Sequence, residues 1–100
     1  MSKILYFITD MDPMGIELAL GLKNKEVGIC LLQDAVYFGC KGRKENGRLV
    51  EALKRNISIF AAKKDIELRG LTKLFNREIK ILDYGEIIDL ILQYDRIVNV

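Results

Sequence analysis

The sequence contains no histidine. That single absence excludes Ser-His-Asp and Cys-His catalysis, together with every zinc site that uses an imidazole. There are two cysteines, Cys30 and Cys40, too few for the four thiolates of an all-cysteine zinc site. In a short chain with cytosolic character they read as free thiols rather than as a disulfide framework. Charge of one sign is also scarce: 16 Lys plus Arg against 14 Asp plus Glu leave a net charge of +2, too small to announce nucleic-acid binding. Long apolar runs are missing. The longest are Ile4–Ile8, Ile29–Leu32 and Ile57–Ala62, the last broken by Ser58, all far short of the ~18–20 residues that cross a bilayer. Asp10 and Asp12 interrupt the first run where a signal peptide would need it unbroken. A soluble cytoplasmic protein without a membrane partner is the expectation, and any chemistry must come from a thiol, from carboxylates or from another chain.

What is present is a globular composition, half hydrophobic and 30% charged over 100 residues, the size of a single domain spanning 1–100. Short β-branched runs alternate with stretches of helical period. Ile4–Ile8 reads as a strand buried on both faces. Asp12 then offers an N-cap, Pro13 suits the first helical position, and Met14, Leu18 and Leu22 recur at helical spacing with Ala19 on their face and Asn24 as the stop. Val27–Leu32 is a second strand, followed by a helical turn over Ala35–Phe38. Glu45–Arg55 is a helix with Leu49, Val50 and Leu53 inward, and Asn56 closes it. Ile57–Ala62 is a third strand, Asp65–Arg69 a helical turn ended by Gly70, and Ile79–Leu82 a fourth strand. Asp83 with Glu86 three residues on forms a capping box for a helix carrying Ile87, Ile88, Ile91 and Leu92, and Arg96–Val100 alternates as a final edge strand.

Strands separated by helices predict a three-layer α/β domain of flavodoxin-like type. Its sheet should be mostly parallel, with right-handed crossovers and the order 2-1-3-4-5. Ligands in such sheets bind beyond the carboxyl ends of the strands. That rim holds Thr9, Asp10, Gln33, Asp34, Ala62, Lys63, Asp83 and Tyr84.

Few constellations on this framework carry chemistry. Asp10 and Asp12 are similar to the acidic pair of phospho-receiver domains, but Ala61-Ala62 stands where the accepting Asp belongs. Thr9–Pro13 presents two negative charges and a residue without an N–H, the opposite of a phosphate cradle, so no nucleotide or flavin cofactor is expected. With no histidine, two cysteines and the receiver pattern broken, no metal is expected either. Lys41, Arg43, Lys44, Arg48, Lys54 and Arg55 form a basic stretch, but Glu45 and Glu51 interleave it and no aromatic platform accompanies it. It reads as a solvated helix face, with no direct contact to nucleic acid. Cys30 lies mid-strand as a small hydrophobe. Cys40, beside Lys41 and near Arg43, is the one thiol whose surroundings favour the thiolate, and so the one candidate sulfur carrier.

Three segments together resemble a known family. Leu31-Leu32-Gln33-Asp34-Ala35-Val36 is similar to the LLQDGV-type segment of the TusB/DsrH family of sulfur-relay proteins, with Ala35 in place of Gly. Ile59-Phe60-Ala61, Asp65-Ile66 and Leu68-Arg69-Gly70-Leu71 resemble its ALxxDLxARGL stretch, with Leu68 in place of Ala. Ile79, Ile81, Asp83-Tyr84 and the apolar helix after them resemble its ending. The resemblance implies a DsrE-like fold and an oligomer with paralogous sulfur-carrier subunits, of TusC/TusD type or DsrE/DsrF type. In the first case persulfide sulfur ends in 2-thiouridine at the tRNA wobble position; in the second it serves dissimilatory sulfur oxidation. Carrier subunits of these complexes place their persulfide cysteine just after strand three, the region of Ala62 here, and DsrH-type members can carry one in the first helical region, where Asp12–Lys23 has none. The implied role is that of an accessory subunit without intrinsic activity. Gln33, Asp34, Asp65, Arg69, Gly70, Asp83 and Tyr84 are its motif residues, with capping and ion-pairing work: Asp34 to cap the turn after strand two, Asp65 and Arg69 to pair, and Tyr84 to bury its ring. The alternative is a stand-alone thiol enzyme or small-ligand-binding homo-oligomer. Tyr37, Phe38, Leu74, Phe75 and Tyr94 form an apolar surplus expected to lie partly on a partner interface.

Overall fold

Strands form where the continuous apolar runs lie, and every one of them pairs in parallel. The protein is described by a computed structural model covering residues 3–21, 26–44 and 46–100. The elements run β1 (Lys3–Ile8), α1 (Met14–Leu20), β2 (Glu26–Leu31), a 3-10 helix (Gln33–Gly39), α2 (Asn46–Lys54), β3 (Ser58–Ala62), α3 (Lys63–Leu68), β4 (Lys80–Leu82), α4 (Tyr84–Leu92) and β5 (Arg96–Asn99). Leu22 and Asn24, expected to extend and stop the first helix, and Glu45, expected to open the second, lie outside the described residues.

The sheet order is β4-β3-β2-β1-β5, which corrects the expected 2-1-3-4-5. The β1–β2 ladder is in register from Lys3↔Glu26 to Ile8↔Leu31, and β5 joins the other side of β1 from Ile4↔Arg96. A run of buried residues shows that β2 is internal, but it carries no information about which strands flank it. The order matters for layering. Three successive steps in one direction, each right-handed, put α1, α2 and α3 on one face; the return from β4 to β5 crosses the opposite face and leaves α4 as the only helix there among the described residues.

The two cores follow from that asymmetry. Ile4, Tyr6, Ile8, Ile29, Leu31, Ile59 and Ala61 meet Ile16, Ala19, Leu20, Leu49, Ala52 and Ile66 on the helix-rich face. The alternate residues Leu5, Cys30, Phe60 and Ala62 meet Ile87 and Leu90 of α4 in a smaller core, as the two-residue period of a strand requires.

The first helix is turned relative to its expected face. Ile16, Ala19 and Leu20 are inward, while Met14 and Leu18 are exposed. Both sets have helical spacing, and the inward one starts beside Gly15, where the backbone rides close over Ile8. The N-cap position is Pro13, one residue later than expected, and it makes no side-chain cap bond; Asp12 instead closes a turn just before the helix, its Oδ1 accepting the Met14 N–H at 3.0 Å. In α2, Leu49 and Ala52 are buried, with Val50 and Leu53 half-buried. Of the expected apolar surplus, Phe38 and Phe75 are core residues, Tyr37 and Tyr94 are half-buried, and Leu74 is exposed. The Phe75 ring packs tightly on Gly39, where a Cβ would collide with the far end of the ring.

Candidate functional site at the ends of strands two, three and four

The switch point of this sheet lies between β3 and β4. There α3 leaves toward one face and α4 toward the other, opening a crevice at the carboxyl ends of the strands. This corrects the rim expected from the sequence. Thr9 and Asp10, at the end of β1, are away from the switch point. Asp10 is occupied locally, accepting the Asp12 N–H at 3.0 Å.

At the crevice β3 passes into α3 without a loop. Ala62, 1% exposed, is the last strand residue and Lys63 the first helical one. Asp65 therefore falls in the first turn of α3, where a carboxylate is favoured by the orphan N–H groups and the helix dipole. It is one of two buried polar residues among those described, at 6% exposure. Its Oδ2 accepts the Gln33 N–H at 2.9 Å and the Tyr84 hydroxyl at 3.3 Å. Its Oδ1 is 3.7 Å from Arg69 one turn on. Arg69 then reaches across the crevice, donating from Nε and Nη2 to Asp34 Oδ1 at 3.2 and 2.9 Å.

Asp65 thus ties together the segments after β2, β3 and β4. Gln33 enters the cluster with a φ of 51°, a left-handed conformation that costs a non-glycine residue energy and that its N–H bond to Asp65 offsets. Burial, then the Asp65 charge, pushes the Tyr84 hydroxyl above its ordinary value, so it stays a protonated donor. Hydrogen bonds from Arg69 to Asp34 hold the guanidinium more firmly charged still.

The structure brings Gln33, Asp34, Asp65, Arg69 and Tyr84 together. Asp83 adjoins them as the cap of α4, accepting the Glu86 N–H at 2.8 Å while its own N–H donates to Glu86 at 3.1 Å. Gly70, at φ 65°, ends α3 just after Arg69. Two expectations are corrected. The Asp34 side chain makes no cap bond to the 3-10 helix, because Arg69 claims it. Tyr84 is 48% exposed as a residue and spends its hydroxyl on Asp65. The Asp65–Arg69 pair was legible from its spacing of four; the Asp34–Arg69 pair, 35 residues apart, had no signal short of the strand order.

Neither thiol belongs to this cluster. Cys30 is fully buried on the α4 side of β2, and burial, aided by Asp65, pushes its pKa up to about 12. Cys40 caps the 3-10 helix that begins at Gln33, roughly 14 Å along at ~2 Å per residue, and is 5% exposed beside Phe75. Its thiol is also pushed up by burial, with Arg43 opposing. This corrects the expectation that nearby cations favour its thiolate: desolvation outweighs them. Arg48 of the basic stretch is committed to Glu17 and Glu51. Among the described residues no three carboxylates or thiols converge as metal ligands.

Comparison with known proteins adds the following. A family model described as "DsrH like protein" matches residues 11–97. Protein TusB of Serratia proteamaculans (strain 568) is 36% identical over 62 residues, which is 62% of this chain and 62% of that protein; the match spans less than two thirds of the relative. Among solved structures, the ychN protein of E. coli superposes with a TM-score of 0.86 at 21% identity over 100% of both chains. Protein MTH1491 of Methanobacterium thermoautotrophicum gives 0.80 at 11% identity over 100% of both. BT1422 of Bacteroides thetaiotaomicron gives 0.76 at 19% over 97% of this chain and 94% of that one. At these identities the structures establish the fold alone.

Proposed function

Because the chain belongs to the DsrH-like family, we propose that it serves as an accessory subunit of a sulfur-relay complex, shaping the complex while paralogous DsrE-like subunits carry the persulfide. The observation that carries this reading is the crevice itself. At the switch point, the place where such a sheet offers chemistry, the strand ends in the methyl group of Ala62, and Asp34, Asp65 and Arg69 beside it are engaged with one another or with Gln33 and Tyr84. A methyl group cannot hold a persulfide. Both thiols lie elsewhere, buried and raised in pKa, and a thiol that stays protonated is a poor acceptor of sulfur from a persulfide donor.

The pathway we propose is thiolation of the tRNA wobble uridine, supported by the likeness to a protein named TusB. The second reading, dissimilatory sulfur oxidation, is favoured by the DsrH description of the family model. Loss of tRNA 2-thiouridine on deleting the gene, restored by a copy encoding Cys30→Ala with Cys40→Ser, is the result expected for the first. Unchanged 2-thiouridine with impaired sulfur oxidation would favour the second. The complex itself is tested by co-expressing the chain with the DsrE-like subunits of the same genome and weighing the purified product under native conditions. A defined hetero-oligomer is expected; a chain that purifies alone, or only with itself, contradicts the proposal.

A further inference from the structure

One helix cannot cover a whole face of this sheet. An α-helix is about 10 Å across, and five strands at ~4.8 Å spacing span roughly twice that. Among the described residues α4 is the only helix on its side. Ile87 and Leu90 seal it to Leu5, Cys30, Phe60 and Ala62, and beside it the β3–β4 half of that face stays open. The result is a groove of about 440 Å³. That volume is in the range of small-molecule sites and holds about 15 waters at ~30 Å³ each.

Two periods build its walls. Glu86, Asp89 and Leu90 line it from α4 at i, i+3 and i+4, one side of a helix. Lys80 and Leu82 line it from β4 at the two-residue spacing of a strand, and Phe60 of β3 is the ladder partner of Lys80. Phe60, Leu82 and Leu90 make an apolar floor. Lys3 and Tyr94 close the β1–β2 end, where the Tyr94 hydroxyl lies over Gly28 in the space a Cβ would fill.

The four charges of the groove divide into engaged and free. Lys3 is turned to Glu26 at 3.9 Å and lies over the Tyr94 ring. Glu86 accepts the Asp83 N–H in the capping box. The Lys80 ammonium and the Asp89 carboxylate make no hydrogen bond or ion pair among the described residues. One stands on the strand wall and the other on the helix wall of the same groove.

One free cation, one free carboxylate and an apolar floor together specify a ligand. A polyanion would meet Asp89 and Glu86, and a purely apolar molecule would leave both free charges unmatched. A small molecule with a carboxylate, an ammonium and an apolar body matches all three features. We propose that the groove binds such a zwitterion, of the class of the apolar α-amino acids. Its carboxylate meets Lys80, its ammonium meets Asp89, and its side chain lies on Phe60, Leu82 and Leu90. This goes beyond the relay reading above and does not depend on it.

The test titrates leucine and its two blocked forms, N-acetyl-leucine and leucinamide, into the isotope-labelled full chain and follows amide chemical shifts. Saturable shifts at Phe60, Lys80, Leu82, Asp89 and Leu90 are expected for leucine, with each blocked form about fivefold weaker. Lys80→Gln and Asp89→Asn change exposed side chains, and circular dichroism confirms that both variants fold. Each is expected to weaken leucine about fivefold, in a crossed pattern. Lys80→Gln should no longer distinguish leucine from leucinamide, and Asp89→Asn should no longer distinguish it from N-acetyl-leucine. No saturable shift at the groove amides would overturn the proposal. So would blocked forms that bind the parent as well as leucine does, or parent-like binding by both variants.

Discussion

Asp65 is the residue on which the crevice depends. It satisfies the N–H of Gln33, which sits at a φ of 51° and would otherwise be left without that partner. Asp65→Ala is therefore expected to lower unfolding stability by about 1.5–3 kcal/mol, the worth of a charged acceptor shared by the Gln33 N–H and the Tyr84 hydroxyl. Asp65→Asn, which keeps an acceptor in place, should lose roughly half as much; urea denaturation measures both. Equal losses would show that the acceptor is unimportant. The thiols give a pH signature. Cys30 ionises near 9.0 when unfolded and near 12 when folded, so between those values only the unfolded chain releases the proton. Its contribution to stability is full below pH 9 and declines as pH rises toward 12. Stability of the parent should fall more steeply from pH 9 to 10.5 than that of Cys30→Ala. At this scale the sequence showed what each residue type could do, such as the cap at Asp83 and the i, i+4 pair of Asp65 and Arg69. It was silent on Gln33, whose positive φ is accompanied by a bond from its N–H to a carboxylate 32 residues away.

Elements were legible where period and cap agreed. The capping box placed the start of α4 correctly, and Gly70 ended α3 as its φ requires. Period alone misled for α1, since Met14 and Leu18 are as well spaced as the residues that are actually buried; a helix with apolar residues on two sides needs its sheet to choose between them. Two expectations belong to this scale. Asp83→Ala removes the cap of the one described helix on its face, and should cost about 1 kcal/mol in thermal or urea denaturation. Gly39→Ala puts a methyl group into the Phe75 ring and should cost about 1–3 kcal/mol, since overpacking there must move either the ring or the strap that carries it. An unchanged melting midpoint for Gly39→Ala would mean that Phe75 moves aside freely.

At the scale of the whole molecule, one topological fact organises the rest. Parallel pairing and three layers followed from alternating strands and helices, but the order β4-β3-β2-β1-β5 could not, because strand neighbours are set by which crossovers pack and not by any local pattern. That order moves the crevice to the ends of β3 and β4, brings Asp34, Asp65, Arg69 and Tyr84 into one cluster, and leaves α4 as the only described helix on its face. It also makes a prediction about local stability. The amides of β1 and β2, each hydrogen-bonded on both sides, should exchange most slowly, and those of the three-residue edge β4 much faster. The same arrangement separates the thiols from the crevice: Cys30 is sealed under α4, and Cys40 is at the far end of the 3-10 helix.

The central claim, that this chain organises a sulfur relay without carrying sulfur, is tested most directly by intact-mass measurement of each subunit after the reconstituted complex is supplied with a persulfide donor. The account predicts a mass gain of one sulfur on the DsrE-like subunits and none on this chain, with sulfur flow unaffected by Cys40→Ser. A stable added sulfur on Cys40, lost together with sulfur flow in Cys40→Ser, would contradict it.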